Sequence, residues 1–210
     1  MNFLSVCSPC SYEKVIERSR FIAHCAHAGS EEEARAFIAE VRARHSLATH
    51  NCYAFVADQT GNVMRFSDDG EPQGTAGMPI LDVLKSKKLF ETAVVVTRYF
   101  GGIKLGAGGL VRAYAGTAAE ALAGADIREY RLCRTLVCTV GYEHFDALKK
   151  FFAAGGAAVK DVAYSDRVAV TAAVEAAQSA QFCAALSDHM AGRVAIREGE
   201  TYLFPFEPGK

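Results

Sequence analysis

The run TAVVVTRYF, Thr92 to Phe100, followed without a break by GGIKLGAGG, Gly101 to Gly109, constrains this chain more than any other feature. An apolar, β-branched stretch of this kind reads as a strand covered on both faces, because neither alternate set of side chains is polar enough to face water. Glycines then interrupt the pattern, and small residues at helical spacing return from Leu110 to about Ala123. Strand, glycine loop and helix in that order predict the centre of a domain and can present backbone N–H groups to an anion. The loop is not a Walker loop, since neither Lys-Ser nor Lys-Thr follows its final glycine, and the GxGxxG spacing is absent. Arg98, Lys104 and Arg112 lie in or beside it and could add positive charge. The competing reading is that the glycines only let the backbone turn sharply and pack closely.

Around this centre the chain alternates between periods of two and 3.6. Tyr12 to Ala28 reads as two short strands broken near Ser19 and Arg20. Ser30 with Glu33 has capping-box spacing, and Ala34, Phe37, Ile38 and Val41 give the helix that follows an apolar face. Cys52 to Ala57 and Val63 to Phe66 predict a hairpin with Gly61 at its tip. SDDGEPQGTAGMP packs three glycines and two prolines into thirteen residues, which predicts irregular chain, with a short helix from Pro79 to about Lys87 after it. A strand from about Ile127 to Leu132 closes this part.

The remainder predicts strand Leu136 to Gly141, helix Glu143 to Ala154, strands Val159 to Tyr164 and Val168 to Val174, helix Ala177 to His189 and strand Val194 to Phe204. That is the ferredoxin-like βαββαβ order, with Phe145, Leu148, Phe151 and Phe152 on one helix and Phe182, Leu186 and Met190 on the other covering a sheet. The fold class is therefore α+β, with an N-terminal α/β domain over residues 1–133 and a ferredoxin-like domain over 134–210.

Composition limits the function classes. No apolar run approaches the roughly 18 residues needed to cross a bilayer, and the start lacks a signal-peptide pattern, so the expected location is cytoplasmic with no membrane partner. Seven cysteines, an odd number scattered through apolar runs, argue for reduced thiols. With 23 basic against 24 acidic side chains there is no global field to draw the protein onto nucleic acid, so any polyanion site must be local.

Three other groups could carry chemistry. Asp68, Asp69 and Glu71 could handle protons or a hard cation, although the EF-hand spacing is missing and an acidic turn with its side chains in water is the simpler reading. Alternation puts His50 and Cys52 on one strand face, which permits a Cys–His dyad but fits a packed pair better. Cys7 and Cys10 form half a zinc motif, with Cys25, His24 or His27 as the nearby completion; no metal or cofactor is expected.

FSDDGEPQGTAGMPIL and VVVTRYFGGIKLGAGGLVRAYAGTAAEAL resemble the two signature blocks of the YigZ/IMPACT family, and THNCYAF resembles its preceding strand motif. The similarity of the core runs from about Ser19 to Ala123, and the C-terminal part is similar to the extra domain of the bacterial two-domain branch. The resemblance implies an N-terminal domain like the ribosomal-protein and elongation-factor-G domain IV fold, and a second like domain V of that factor. It also implies a role in translational control, with RNA or the ribosome, or a protein of that pathway, as partner. Carried over by motif position, the residues of interest are His50, Asp68, Asp69, Glu71, Thr75, Arg98, Tyr99, Gly101, Gly102, Lys104, Gly106 and Arg112. Three functions follow as expectations. The first is a binding protein touching RNA or ribosome phosphates through the glycine loop. The second is a hydrolase or transferase using the Asp68, Asp69 and Glu71 loop on an anionic substrate. The third is a protein-interaction module anchored by Tyr99, Phe100 and Tyr114.

Overall fold

The computed structural model describes residues 2–207 and divides into two compact units, the first Phe3–Glu129 with residues 206–207 and the second Tyr130–Pro205 with residue 2. In chain order the first unit contains strands β1 (Phe3–Val6), β2 (Cys10–Ile16) and β3 (Ser19–His27), helix α1 (Glu31–Arg44), strands β4 (His50–Val56) and β5 (Met64–Ser67), helix α2 (Gly77–Ser86), strand β6 (Thr92–Tyr99) and helix α3 (Gly106–Ala123). After β7 (Ile127–Val140) come α4 (Phe145–Ala154), β8 (Ala158–Tyr164), β9 (Val168–Glu175), α5 (Ser179–His189) and β10 (Ala195–Phe206).

The first unit is built on an antiparallel sheet ordered β2-β3-β6-β4-β5, so β6 lies at its middle, as its unbroken apolar pattern requires. Alternation along β6 divides the core. Val94 and Val96 face α2 and α3 with Phe21, Cys52 and Tyr114, whereas Ala93 and Val95 face α1 with Ile38, Val41 and Phe55. Helix α1 forms where the capping residues predict it. Ser30 Oγ accepts from the Glu33 amide at 3.2 Å, and the Glu33 carboxylate reaches back to the Gly29 amide at 2.8 Å. Glu17 and Arg18 make the β2–β3 turn with φ of 45° and 64°, left-handed values reached here without glycine.

In the second unit β7 is flanked by β9 and β10, and β8 lies outside β9. The expected βαββαβ order is present, with a 3-10 turn preceding each helix. Leu148, Phe152, Phe182, Leu186 and Met190 pack on Leu136, Cys138 and Val170, the helix-on-sheet core the patterning predicts.

Three expectations are corrected and one strand is added. The strands predicted at Ile127 to Leu132 and Leu136 to Gly141 are one, β7; alternation continues through the basic residues, and Arg134 pairs with Glu198 at 3.1 Å. β1 was not anticipated. Ser67 still belongs to β5 and Gly77 already opens α2, so the irregular stretch is shorter than predicted. Helix α3 starts at Gly106 rather than Leu110, which makes Gly106 to Gly109 its first turn and leaves only residues 100–105 as the loop. No described helix is long and apolar enough to cross a membrane.

Candidate functional site

Strand β6 ends by sending consecutive side chains to opposite faces of its sheet. Arg98 turns toward α3. It is 5% exposed and donates from Nη1 to Glu71 Oε1 at 2.7 Å and from Nη2 to Ser19 Oγ at 3.3 Å; its guanidinium lies over Phe21 and Phe100 at 5.4 and 5.3 Å from the ring centres. Tyr99 turns the other way. Its hydroxyl lies 3.0 Å from His45 Nδ1, and His45 Nε2 meets His24 Nε2 at 2.9 Å. Burial, with His45 and Arg44 nearby, holds the His24 imidazole down at about 4.

The acidic residues are engaged by the chain rather than freely solvated, Asp68 and Asp69 half-buried and Glu71 buried. Asp68 Oδ1 accepts from the Ala76 and Gly77 amides at 3.0 and 2.8 Å and Oδ2 from Gly74 at 2.8 Å, so it caps α2 from a distance in sequence. Asp69, at φ 45°, accepts from Arg42 at 2.7 Å and from the Asn51 amide at 2.6 Å. Glu71 goes deepest, at 8% exposed, and Oε1 also accepts the Tyr114 hydroxyl at 2.8 Å. Its Oε2 receives no hydrogen bond among the described residues. Thr75 donates to the Pro72 carbonyl at 2.6 Å and holds the same loop closed.

His50 and Cys52 share a face as alternation predicts, but they form no dyad. His50 Nδ1 is 2.8 Å from the Asp69 carbonyl, which can only accept, so the proton sits on Nδ1 and Nε2 faces Glu71 Oε1 at 3.9 Å. The Cys52 thiol donates to the Asp68 carbonyl, and burial pushes it up to about 12. It is not poised as a nucleophile. Burial likewise raises the Tyr114 phenol, and its complete burial removes it as an anchor for a protein partner. Cys10 faces Cys25 across the β2–β3 pair. Among the described residues no cluster of three or more His, Cys, Asp or Glu is arranged to hold a metal ion.

The glycine loop closes over this network. The Gly101 amide donates to Ser19 Oγ at 3.2 Å, and a Cβ at Gly101 would stand 2.0 Å from the Arg18 carbonyl oxygen, so no side chain fits there. Gly102 has φ of 85°, and Gly106 enters α3 with φ of 70°, each with open space around it. No side chain caps α3, whose first turn is exposed from Gly106 to Gly108. Lys104 and Arg112 beside it are exposed and make no ion pair among the described residues. A cleft of about 340 Å³ joins the two halves of the site: Glu71 and Arg98 line it on one side, Lys104, Gly106 and Ala107 on another, and Phe100 at the edge.

The Impact N-terminal domain model matches residues 17–122, and the Domain of unknown function (DUF1949) model matches 138–193. The chain belongs to the IMPACT family. IMPACT family member YvyE of Bacillus subtilis (strain 168) is 40% identical over 193 residues, covering 91% of this chain and 89% of that one. IMPACT family member YigZ of Escherichia coli (strain K12) is 34% identical over 197 residues, covering 93% and 97%. A crystal structure described as that of an hypothetical protein superposes with a TM-score of 0.63 at 34% identity, covering 95% of this chain and 98% of its own, and shows the same two-domain fold.

Within this IMPACT-family chain the residues singled out from the motifs fall into three places. Glu71, Arg98, Gly101, Gly102, Lys104, Gly106 and Arg112 surround or support the open end of α3. His50, Asp68, Asp69 and Thr75 hold the loop that carries Glu71. Tyr99 belongs to the histidine pair on the opposite face of the sheet. Ser19, which ties Arg98 to Gly101, was not anticipated; it carries no local signal because its partners lie 79 and 82 residues away.

Proposed function

We propose that this IMPACT-family chain is a regulatory, translation-associated binding protein that contacts phosphates of RNA or of a ribosomal surface through the N-terminus of α3. One observation carries the reading: an uncapped helix end, opened by Gly106 and Gly108 and flanked by the exposed cations Lys104 and Arg112. Helix N-termini of this kind favour anions through free N–H groups and the aligned peptide dipoles. The buried Arg98–Glu71 pair supports that surface from behind and leaves the contact to Lys104 and Arg112. Family membership adds the translational setting, as do the elongation-factor-G-like domains that the signature motifs imply.

The test is RNA retention across a salt series. For a single strand, each neutralised phosphate contributes about 0.7 to the slope of log affinity against log salt, so Lys104→Ala with Arg112→Ala should flatten it by about 1.4. Retention that the double variant leaves unchanged would remove this site from the contact.

A hydrolase or transferase acting on an anionic substrate keeps one supporting observation, the cleft that Glu71 shares with the α3 N-terminus. Asp68 and Asp69 are engaged elsewhere, so Glu71 alone is left in position to move a proton. Turnover of phosphate esters abolished by Glu71→Gln in a folded protein would favour this reading over binding.

A further inference from the structure

We infer that the cleft beside α3 is a ribonucleotide site, with the phosphate on the first turn of the helix, a ribose hydroxyl on Glu71 and the base against Phe100. The inference rests on the phosphate-contact reading above and adds what lies next to the phosphate.

The cleft makes two opposed demands. Its α3 wall, with the exposed amides and Lys104, favours an anion. Its opposite wall holds a carboxylate that is more than nine-tenths buried, with Oε1 taken by Arg98 and Tyr114 and Oε2 without a donor. Oε2 is not sealed from solvent, so it keeps free acceptor capacity for a donor on a ligand. Inorganic phosphate satisfies the first wall and does nothing for the second. A ligand that fits carries an anion and, a short distance away, a neutral hydroxyl or amino donor. A ribonucleotide does so, and an acidic side chain accepting from a ribose hydroxyl is an established way of holding one.

The third wall fits the base. Phe100 is 47% exposed although its ring is already held by the Arg98 guanidinium at 5.3 Å, so little ordering remains when a base stacks on it. Pro72, Leu105 and Leu110 add apolar surface, and about 340 Å³ lies within the range of small-ligand pockets.

The test compares ligands that differ by one hydroxyl, so it needs no substitution at buried Glu71. Fluorescence anisotropy of the full chain with labelled oligo(A) and oligo(dA), at one fixed salt concentration, should show the ribose form bound about tenfold more tightly, the value of a hydrogen bond to a buried charge. AMP against dAMP by calorimetry decides whether the site takes the free nucleotide or only a strand; ribose preference in either supports the inference. Phe100→Ala, at an exposed position that leaves the core intact, should weaken oligo(A) by about fivefold or more. If oligo(A) and oligo(dA) bind equally and Phe100→Ala matches wild type, the ribonucleotide site is wrong. Lys104→Ala with Arg112→Ala then reports separately, since continued loss of salt dependence keeps the phosphate contact. Failure of the wild type to bind both oligo(A) and AMP overturns the inference outright.

Discussion

Removing the Glu71 side chain tests the centre of the site directly. In Glu71→Ala the Arg98 guanidinium keeps only the 3.3 Å bond to Ser19 Oγ, with a side chain 6% exposed and an Nε that already lacks a partner. Stranding a buried cation in this way costs about 3–5 kcal/mol, and the Tyr114 hydroxyl left without its acceptor adds about 1 kcal/mol. Against a domain stability of about 5–15 kcal/mol that is a large fraction. At a urea dependence of about 2 kcal/mol per molar, a loss of about 4 kcal/mol moves the midpoint down by about 2 M. The chain has no tryptophan, so far-UV circular dichroism is the signal to follow. The decisive comparison is the double variant with Arg98→Met. A buried pair replaced on both sides by apolar groups is often close to neutral, so Glu71→Ala should cost less in the Arg98→Met background than in the wild type. A single-variant loss below about 1 kcal/mol, or a larger loss in the Arg98→Met background, would refute the assignment of Glu71 as the counter-charge of Arg98.

Two further outcomes follow from the geometry. Gly101→Ala drives a Cβ into the Arg18 backbone and should lower stability by about 3 kcal/mol or prevent folding, read by the same urea titration; a loss within about 0.5 kcal/mol would show that the loop has another seat. His24 has its pKa depressed to about 4 from 6.5, so below about 6.5 the unfolded chain takes up a proton that the folded one refuses. Thermal stability should therefore fall as pH drops from about 6.5 toward 4, and His24→Gln should flatten that limb of a Tm-against-pH curve. A limb of unchanged slope in the variant would assign the acid sensitivity to other groups.

Much of this structure was legible in the residues. The cap of α1 and the position of β6 followed from Ser30, Glu33 and the valine run, because each rests on contacts within a few residues or on simple periodicity. The βαββαβ order followed from patterning for the same reason. The start of α3 did not. Each glycine costs a helix about 1 kcal/mol relative to alanine, so GAGG reads locally as a loop, and it is the packing of Leu110, Tyr114 and Leu122 beneath the sheet that overrides this. The engagement of the acidic residues was equally hidden. The donors to Asp69 and Glu71 come from Arg42, Asn51, Arg98 and Tyr114 on four different elements, and nothing near either residue in sequence announces them.

The seat of Gly101 divides the demands on its neighbour in an unusual way. What lies under the glycine is the Arg18 carbonyl and the Ser19 nitrogen, main-chain atoms that every amino acid carries. Substitution at position 18 is thus free to vary in charge and size, provided the new residue accepts a φ near 64°. Asparagine or glycine there should serve as well as arginine or better, whereas valine or isoleucine should loosen the hairpin tip and, through it, the entrance to α3.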